Sequence, residues 1–203
     1  MTKFEGAAVI VVDVQKAIDA PYHAVDGPRN HPQAETRIAN LLAFWRRKQW
    51  PVIHVRHDST FEASAYRPGQ VGNMFKDEVS PLAHETVVPK TTNSAFIGTG
   101  LESRLREAGV KTLVVVGVAT NNSVEATVRM AGNLGFDTYL VEDCCFTFAR
   151  RDFAGRLRTA EEVQSMSLSN LSGEYCTVIS SAVLFEAASA EVTALTGDHP
   201  AQE

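Results

Sequence analysis

Six brief apolar runs, rich in Val and Ile, constrain this chain more than any other feature. They are Ala7–Val12, Val52–Val55, Thr86–Val88, Leu113–Val116, Thr138–Val141 and Cys176–Ile179. Successive side chains of a strand point to opposite faces of its sheet. A short run without polar alternation therefore reads as a strand buried on both faces. Amphipathic stretches separate the runs. Ala34, Ile38, Leu41, Leu42 and Trp45 share one helical face behind Pro32, which suits a first turn. Thr99 with Glu102, and Thr159 with Glu162, have capping-box spacing, the first ahead of Leu101, Leu105 and Ala108, the second ahead of Val163 and Met166. Leu184, Ala188, Val192 and Leu195 form a last stripe that stops at Gly197. This alternation predicts an α/β fold, a parallel sheet covered by helices on both faces.

The 203 residues fit a single domain spanning 1–203, with one sizeable core. Residues 58–85 break the alternation. They carry Pro68, Gly69, Gly72 and Pro81 and little periodicity, as a substrate-covering loop or a surface excursion would. With 44% hydrophobic and 21% charged residues, the chain is neither disordered nor collagen-like. Acidic residues outnumber basic ones 24 to 19, and the longest basic run is Arg46-Arg47-Lys48, which argues against a nucleic-acid partner. No apolar run reaches the ~18 residues of a membrane span, and Met1–Asp13 lacks a signal peptide's layout. The three cysteines, Cys144, Cys145 and Cys176, are too few and odd in number for a disulfide framework. The expectation is a cytoplasmic protein with no membrane partner.

In doubly wound sheets, ligands bind beyond the carboxyl ends of the strands, where strand order reverses. Three polar positions follow predicted strands. Asp13 closes the first, where partial burial would raise its pKa and suit it to act as a base; a cap or turn aspartate fits the position equally. Lys90 closes the third and could hold a carboxylate ionised, although a lone lysine there reads first as solvated surface. Gly117-Val118-Ala119-Thr120-Asn121-Asn122-Ser123-Val124-Glu125 follows the fourth. Asn122 and Glu125 have capping-box spacing, which places Ser123 in a first helical turn, where free N–H groups favour an anion. That segment also fits a phosphate-binding or merely capped turn. No Gly-x-Gly-x-x-Gly follows the first strand, so a dinucleotide fingerprint is absent.

Taken together and in order, these segments resemble the isochorismatase-like, or cysteine hydrolase, superfamily. The resemblance rests on Asp13-x-Gln15, on Lys90 with Asn93-Ser94-Ala95-Phe96, and on the block from Gly117 to Thr127. His54-Val55-Arg56-His57-Asp58-Ser59, Arg67-Pro68-Gly69 and Asn133-Leu134-Gly135-Phe136 add to it, so that it covers roughly residues 7–185. It implies a three-layer α/β/α fold with a six-stranded parallel sheet of order 3-2-1-4-5-6, assembled as a dimer or tetramer. It further implies an Asp–Lys–Cys triad, with Asp13 as base and Lys90 as its electrostatic partner. A cis peptide would fall at Val118–Ala119, and the Ala119 and Ser123 N–H groups would form an oxyanion hole.

The position of the nucleophilic cysteine is occupied by Ser123. A serine hydroxyl is far less acidic than a thiol and normally needs a dedicated base. Three explanations fit: a cysteine replaced to trap substrate, a natural serine in a weak or altered enzyme, or kinship with the true isochorismatases, which cleave a vinyl ether without a thiol. The intact thiol-hydrolase pattern around position 123 favours the first. The expected activity is hydrolysis of a small carboxamide or ureido substrate, with a non-catalytic small-ligand binding protein as the rival from another class. No metal and no cofactor are expected, because His54-Val55-Arg56-His57-Asp58 lacks the Asp-x-His of the metal-dependent nicotinamidases. Tyr22, His57, Asn93 and Phe96 are candidate substrate contacts by position. The cysteines read as packing residues, with Cys144 and Cys145 placed past the fifth strand and therefore candidates for the pocket wall.

Overall fold

In the computed structural model, which describes residues 3–190, eight strands and five α-helices follow one another along the chain. The strands are β1 (Ala8–Val12), β2 (Val52–His57), β3 (Thr86–Lys90), β4 (Thr112–Val118), β5 (Asp137–Phe146), β6 (Arg150–Arg151), β7 (Leu157–Arg158) and β8 (Thr177–Ile179). The helices are α1 (Ala34–Lys48), α2 (Leu101–Glu107), α3 (Glu125–Asn133), α4 (Ala160–Leu171) and α5 (Ser181–Ser189). Six strands form one parallel sheet of order β3-β2-β1-β4-β5-β8. This is the expected order; the sixth sheet strand is eighth along the chain because the antiparallel β6–β7 hairpin precedes it.

Side-chain alternation along the central strands makes the three layers. Val9 and Val11 of β1, with Val114 and Val116 of β4, face Ile38, Leu41, Leu42 and Trp45 of α1 and Leu184 of α5. Ala8, Ile10 and Val12, with Leu113 and Val115, face Leu101 and Leu105 of α2, Val128 of α3 and Leu171 of α4. All five residues of β1 are buried, as a strand covered by helices on both sides must be. α1 ends on Gln49 in a left-handed conformation, with Arg46, Arg47 and Lys48 in its last turn, where cations complement the helix dipole.

Several local expectations are corrected. β5 continues through Glu142 and Asp143 to Phe146, so Cys144 and Cys145 lie inside the strand. Both are fully buried, Cys144 against the α1 side and Cys145 against the α2–α3 side, and neither lines the cavity over Asp13 and Ser123. The carboxylates of Glu142 and Asp143, midway along the strand, hid its length. The Thr159–Glu162 capping box forms, but the Thr99–Glu102 box does not. Gly100, at φ 67°, takes the cap position of α2, and the Thr99 hydroxyl instead donates to Ala95 O at 2.6 Å. Asn122 and Glu125 form no box either, because the chain between them makes a wider turn. The β6–β7 hairpin has two-residue strands of largely exposed residues, too short for any period to register. Val192, Leu195 and Gly197 lie outside the described residues. Among the described residues, no helix is long and apolar enough to cross a membrane.

Candidate active site

β1 and β4 are neighbours at the centre of the sheet, and their carboxyl ends lie level, Val12 opposite Gly117. Gly117 is required there. Its φ is +127°, and a Cβ would run into the main chain of Val12. Asp13 follows β1 at φ +54°, its N–H bonded to Val55 O of β2 at 3.0 Å. Beyond β4 the Val118–Ala119 peptide is cis. Residues Thr120–Val124 then form one wide turn, closed by a bond from Val124 N to Ala119 O at 3.3 Å, which leads into α3.

These ends bring together three side chains that stand far apart in sequence. The Lys90 ammonium, at the end of β3, donates to Asp13 Oδ2 at 2.7 Å, to Thr92 O at 3.0 Å and to Ser123 Oγ at 3.4 Å. Its side chain is wholly buried, not the solvated surface group its isolated sequence context suggests. The other Asp13 oxygen, Oδ1, is buried without a hydrogen-bond partner. Burial pushes the Asp13 carboxyl up to about 6, against the opposing pull of the Lys90 charge and hydrogen bond. The site therefore holds an acid whose proton affinity lies near neutrality, beside a fixed cation and a hydroxyl.

The remaining motif residues build the frame. Gln15, fully buried, donates to His57 O and Asn73 O and accepts from His57 N, tying the end of β1 to β2 and to the 58–85 segment. Asn73 donates to His57 O, Asp58 Oδ1 and Tyr66 O, which folds that segment back over the strand ends. The Thr127 hydroxyl of α3 accepts from Ala95 N. Behind the wide turn, Gln164 accepts from both Asn30 and Thr120, and Ser167 donates to Glu125. None of these framing roles for Asn30, Gln164 and Ser167 stands out in sequence, because single polar residues on helices and loops carry no period.

A cavity of about 240 Å³ opens over the three side chains. Asp13, Ser123, Val118 and Ala119 form its floor together with Asn122, and Ile18, Tyr22, His23, His57, Ser64, Tyr66 and Asn93 complete the lining. Three of the four candidate contacts, Tyr22, His57 and Asn93, thus line it. Phe96 does not; it stacks on Phe136 at 6.0 Å, against the apolar layer under α2 and α3. His23, Ser64 and Tyr66 were not singled out from sequence, since they arrive on short turns and on the irregular segment, which does reach the cavity. Burial lowers the pKa of both histidines. A larger surface groove of about 920 Å³, between α4 and the β6–β7 hairpin, contains none of Asp13, Lys90 and Ser123. Burial pushes all three thiols up, Cys176 to about 11, so none is a nucleophile near neutral pH. Among the described residues, no three His, Cys, Asp or Glu side chains gather as a metal cluster, and His54 is buried against Glu85 instead.

Comparison with known proteins agrees with this geometry. The isochorismatase domain model matches residues 7–183. The uncharacterized isochorismatase family protein YrdC of Bacillus subtilis is 40% identical over 175 residues, 86% of this chain and 92% of that one. The ureidoacrylate amidohydrolase RutB of Klebsiella pneumoniae is 30% identical over 169 residues, 68% of this chain and 72% of that one. A crystal structure of an isochorismatase-family protein from Chromobacterium violaceum superposes with a TM-score of 0.87 at 56% identity, covering 90% of this chain and 93% of that one. By sequence, strand order and fold, this chain belongs to the isochorismatase family of hydrolases.

Proposed function

We propose that the protein is built to hydrolyse the C–N bond of a small carboxamide or ureido compound without a metal, through Asp13, Lys90 and the side chain at position 123. The observation that carries this reading is the buried Lys90 ammonium within reach of both Asp13 (2.7 Å) and Ser123 (3.4 Å) at the floor of one cavity. The similarity to ureidoacrylate amidohydrolases supports a ureido-type C–N bond as the bond cleaved. In this scheme the Asp13 carboxylate takes the proton of the residue-123 nucleophile as that atom attacks the substrate carbonyl carbon. The Ala119 and residue-123 N–H groups hold the oxyanion. Protonated Asp13 then delivers the proton to the departing nitrogen, the C–N bond breaks, and the acyl group stays on the enzyme. Water, deprotonated by Asp13, then adds to the acyl carbon, the bond to residue 123 breaks, the acid departs, and Asp13 returns the proton to the residue-123 side chain.

The scheme suits a thiol. Lys90 and the start of α3 lower a thiol's pKa toward neutrality, whereas a serine hydroxyl stays protonated. Ser123 therefore leaves binding intact and nearly removes chemistry. A Ser123→Cys change replaces one small side chain by another of similar shape and should raise amide or ureide turnover by at least about a hundredfold, roughly 2.7 kcal/mol of barrier. It should also make activity sensitive to thiol alkylation and yield an acyl-enzyme visible by intact mass. Equal turnover by the two forms would overturn the thiol scheme, and cleavage of a vinyl ether alone by both would put the ether-hydrolase alternative in its place.

A further inference from the structure

Among the described residues, none that lines the cavity is a cation free to receive a substrate's carboxylate. Its lining holds one acid, Asp13, two histidines, two tyrosines, two asparagines and two serines, but no lysine or arginine. Lys90 lies beneath the floor with no exposed side-chain surface, and its charge is matched by Asp13 at 2.7 Å. Arg56, beside His57 on β2, is engaged by both oxygens of Asp58 at 2.8 and 2.9 Å. Lys76, on the neighbouring segment, is shared between Asp19 and Glu35. A carboxylate entering such a cavity loses its hydration without gaining a cationic partner.

What the lining does offer is suited to an uncharged guest. His23 Nε2, His57 Nδ1 and Asp13 Oδ1 are buried without hydrogen-bond partners, and all three residues line the cavity. His23 lies 6.1 Å and His57 5.6 Å from the Tyr66 ring, both edge to face, and His23 stacks on Phe148, giving flat aromatic walls. We propose that this site selects small, uncharged, planar primary amides or ureas and rejects their carboxylate-bearing counterparts. The hydrocarbon part of the substrate would lie against the Tyr66, His57 and His23 rings, and its amide over Asp13 and Ser123. A volume below the ~300 Å³ at which pockets for larger ligands begin limits the guest to a short chain or a single ring. The selection rests on the amide-hydrolase reading, yet it concerns binding and can be measured without turnover.

The test uses the Ser123 protein and calorimetric titration at pH 7.5 with two matched pairs. Crotonamide is compared with fumaramate, in which a carboxylate replaces the methyl group, and ethylurea with N-carbamoylglycine. In each pair the uncharged member should bind at least about tenfold tighter. Asn93 is exposed at the rim, so Asn93→Lys should fold normally and narrow the gap by at least about tenfold, in a salt-sensitive way. Equal or tighter binding of the carboxylates by the unaltered protein, binding of none of the four compounds, or no response to Asn93→Lys would each overturn the proposal. If the uncharged compounds bind but the Ser123→Cys form hydrolyses no amide, the functional reading fails while this selectivity stands.

Discussion

β3 carries a buried carboxylate–cation cluster at each end, and the two differ in kind. Glu85 precedes the strand, its side chain 3% exposed, and both its oxygens are saturated. Arg46 donates to the two of them at 2.7 and 2.8 Å, while His54 and the Leu82 N–H also engage Oε2. Although burial opposes it, these donors hold the Glu85 carboxyl down at about 2. Lys90 ends the strand, and its partner Asp13 has one oxygen paired and one left without a donor. There burial outweighs Lys90, and Asp13 rises to about 6. A carboxylate whose lone pairs are all met has fixed charge and serves the fold. One that is half met keeps an affinity for protons near neutrality, as proton transfer requires.

The largest way to break this contrast is at the Lys90 end. In a Ser123→Cys background, Asp13→Asn and Lys90→Met should each lower turnover by orders of magnitude with the fold intact by circular dichroism, and the double variant should cost little more than either. Mild, additive losses would remove both residues from the chemistry. At the other end the effect should fall on stability. Glu85→Ala leaves Arg46 and His54 without their partner and should cost about 3–5 kcal/mol in denaturant unfolding, with turnover per folded molecule unchanged.

The two ends should also respond to pH with opposite signs. Asp13 has a folded pKa of about 6 against an unfolded 3.8, so its contribution to stability is present at low pH and lost as pH rises through about 6. Glu85 lies at about 2 against 4.5, so its contribution is present above 4.5 and lost as pH falls toward 2. Asp13→Asn should therefore remove a falling limb of the stability–pH curve, and Glu85→Gln a rising one at lower pH. Turnover by the Ser123→Cys form should climb about tenfold per unit up to pH 6 and then level, since Asp13 must be ionised to act as base. The smallest effect is expected from metal removal. Dialysis against a chelator should leave the Ser123→Cys activity unchanged, and a stoichiometric zinc or iron by elemental analysis would contradict the metal-free scheme.

The six sheet strands and most helices were legible because burial on both faces and a 3.6-residue period each leave a mark on consecutive residues. The site was legible as three separated segments, Asp13, Lys90 and 117–123, because the residues beyond strand ends in a doubly wound sheet converge at its switch point. Motif positions such as Gln15 and Thr127 were visible too, but as part of a pattern; their work, bonding His57 and Ala95, became visible only with the chain folded.

Sequence by itself determined the parallel α/β layering, the chain segments that reach the crevice and the identity of the atom at position 123. Those follow from local pattern and covalent chemistry. The tertiary structure alone decided that Lys90 is buried rather than solvated, that Phe96 packs on Phe136 outside the cavity, and that Cys144 and Cys145 point to opposite sides of β5. It also decided which acid keeps a mobile proton. Burial and partner count are set by residues tens of positions away. A carboxylate's proton affinity therefore belongs to its surroundings in space, and Asp13 and Glu85 share a residue class but not a chemistry.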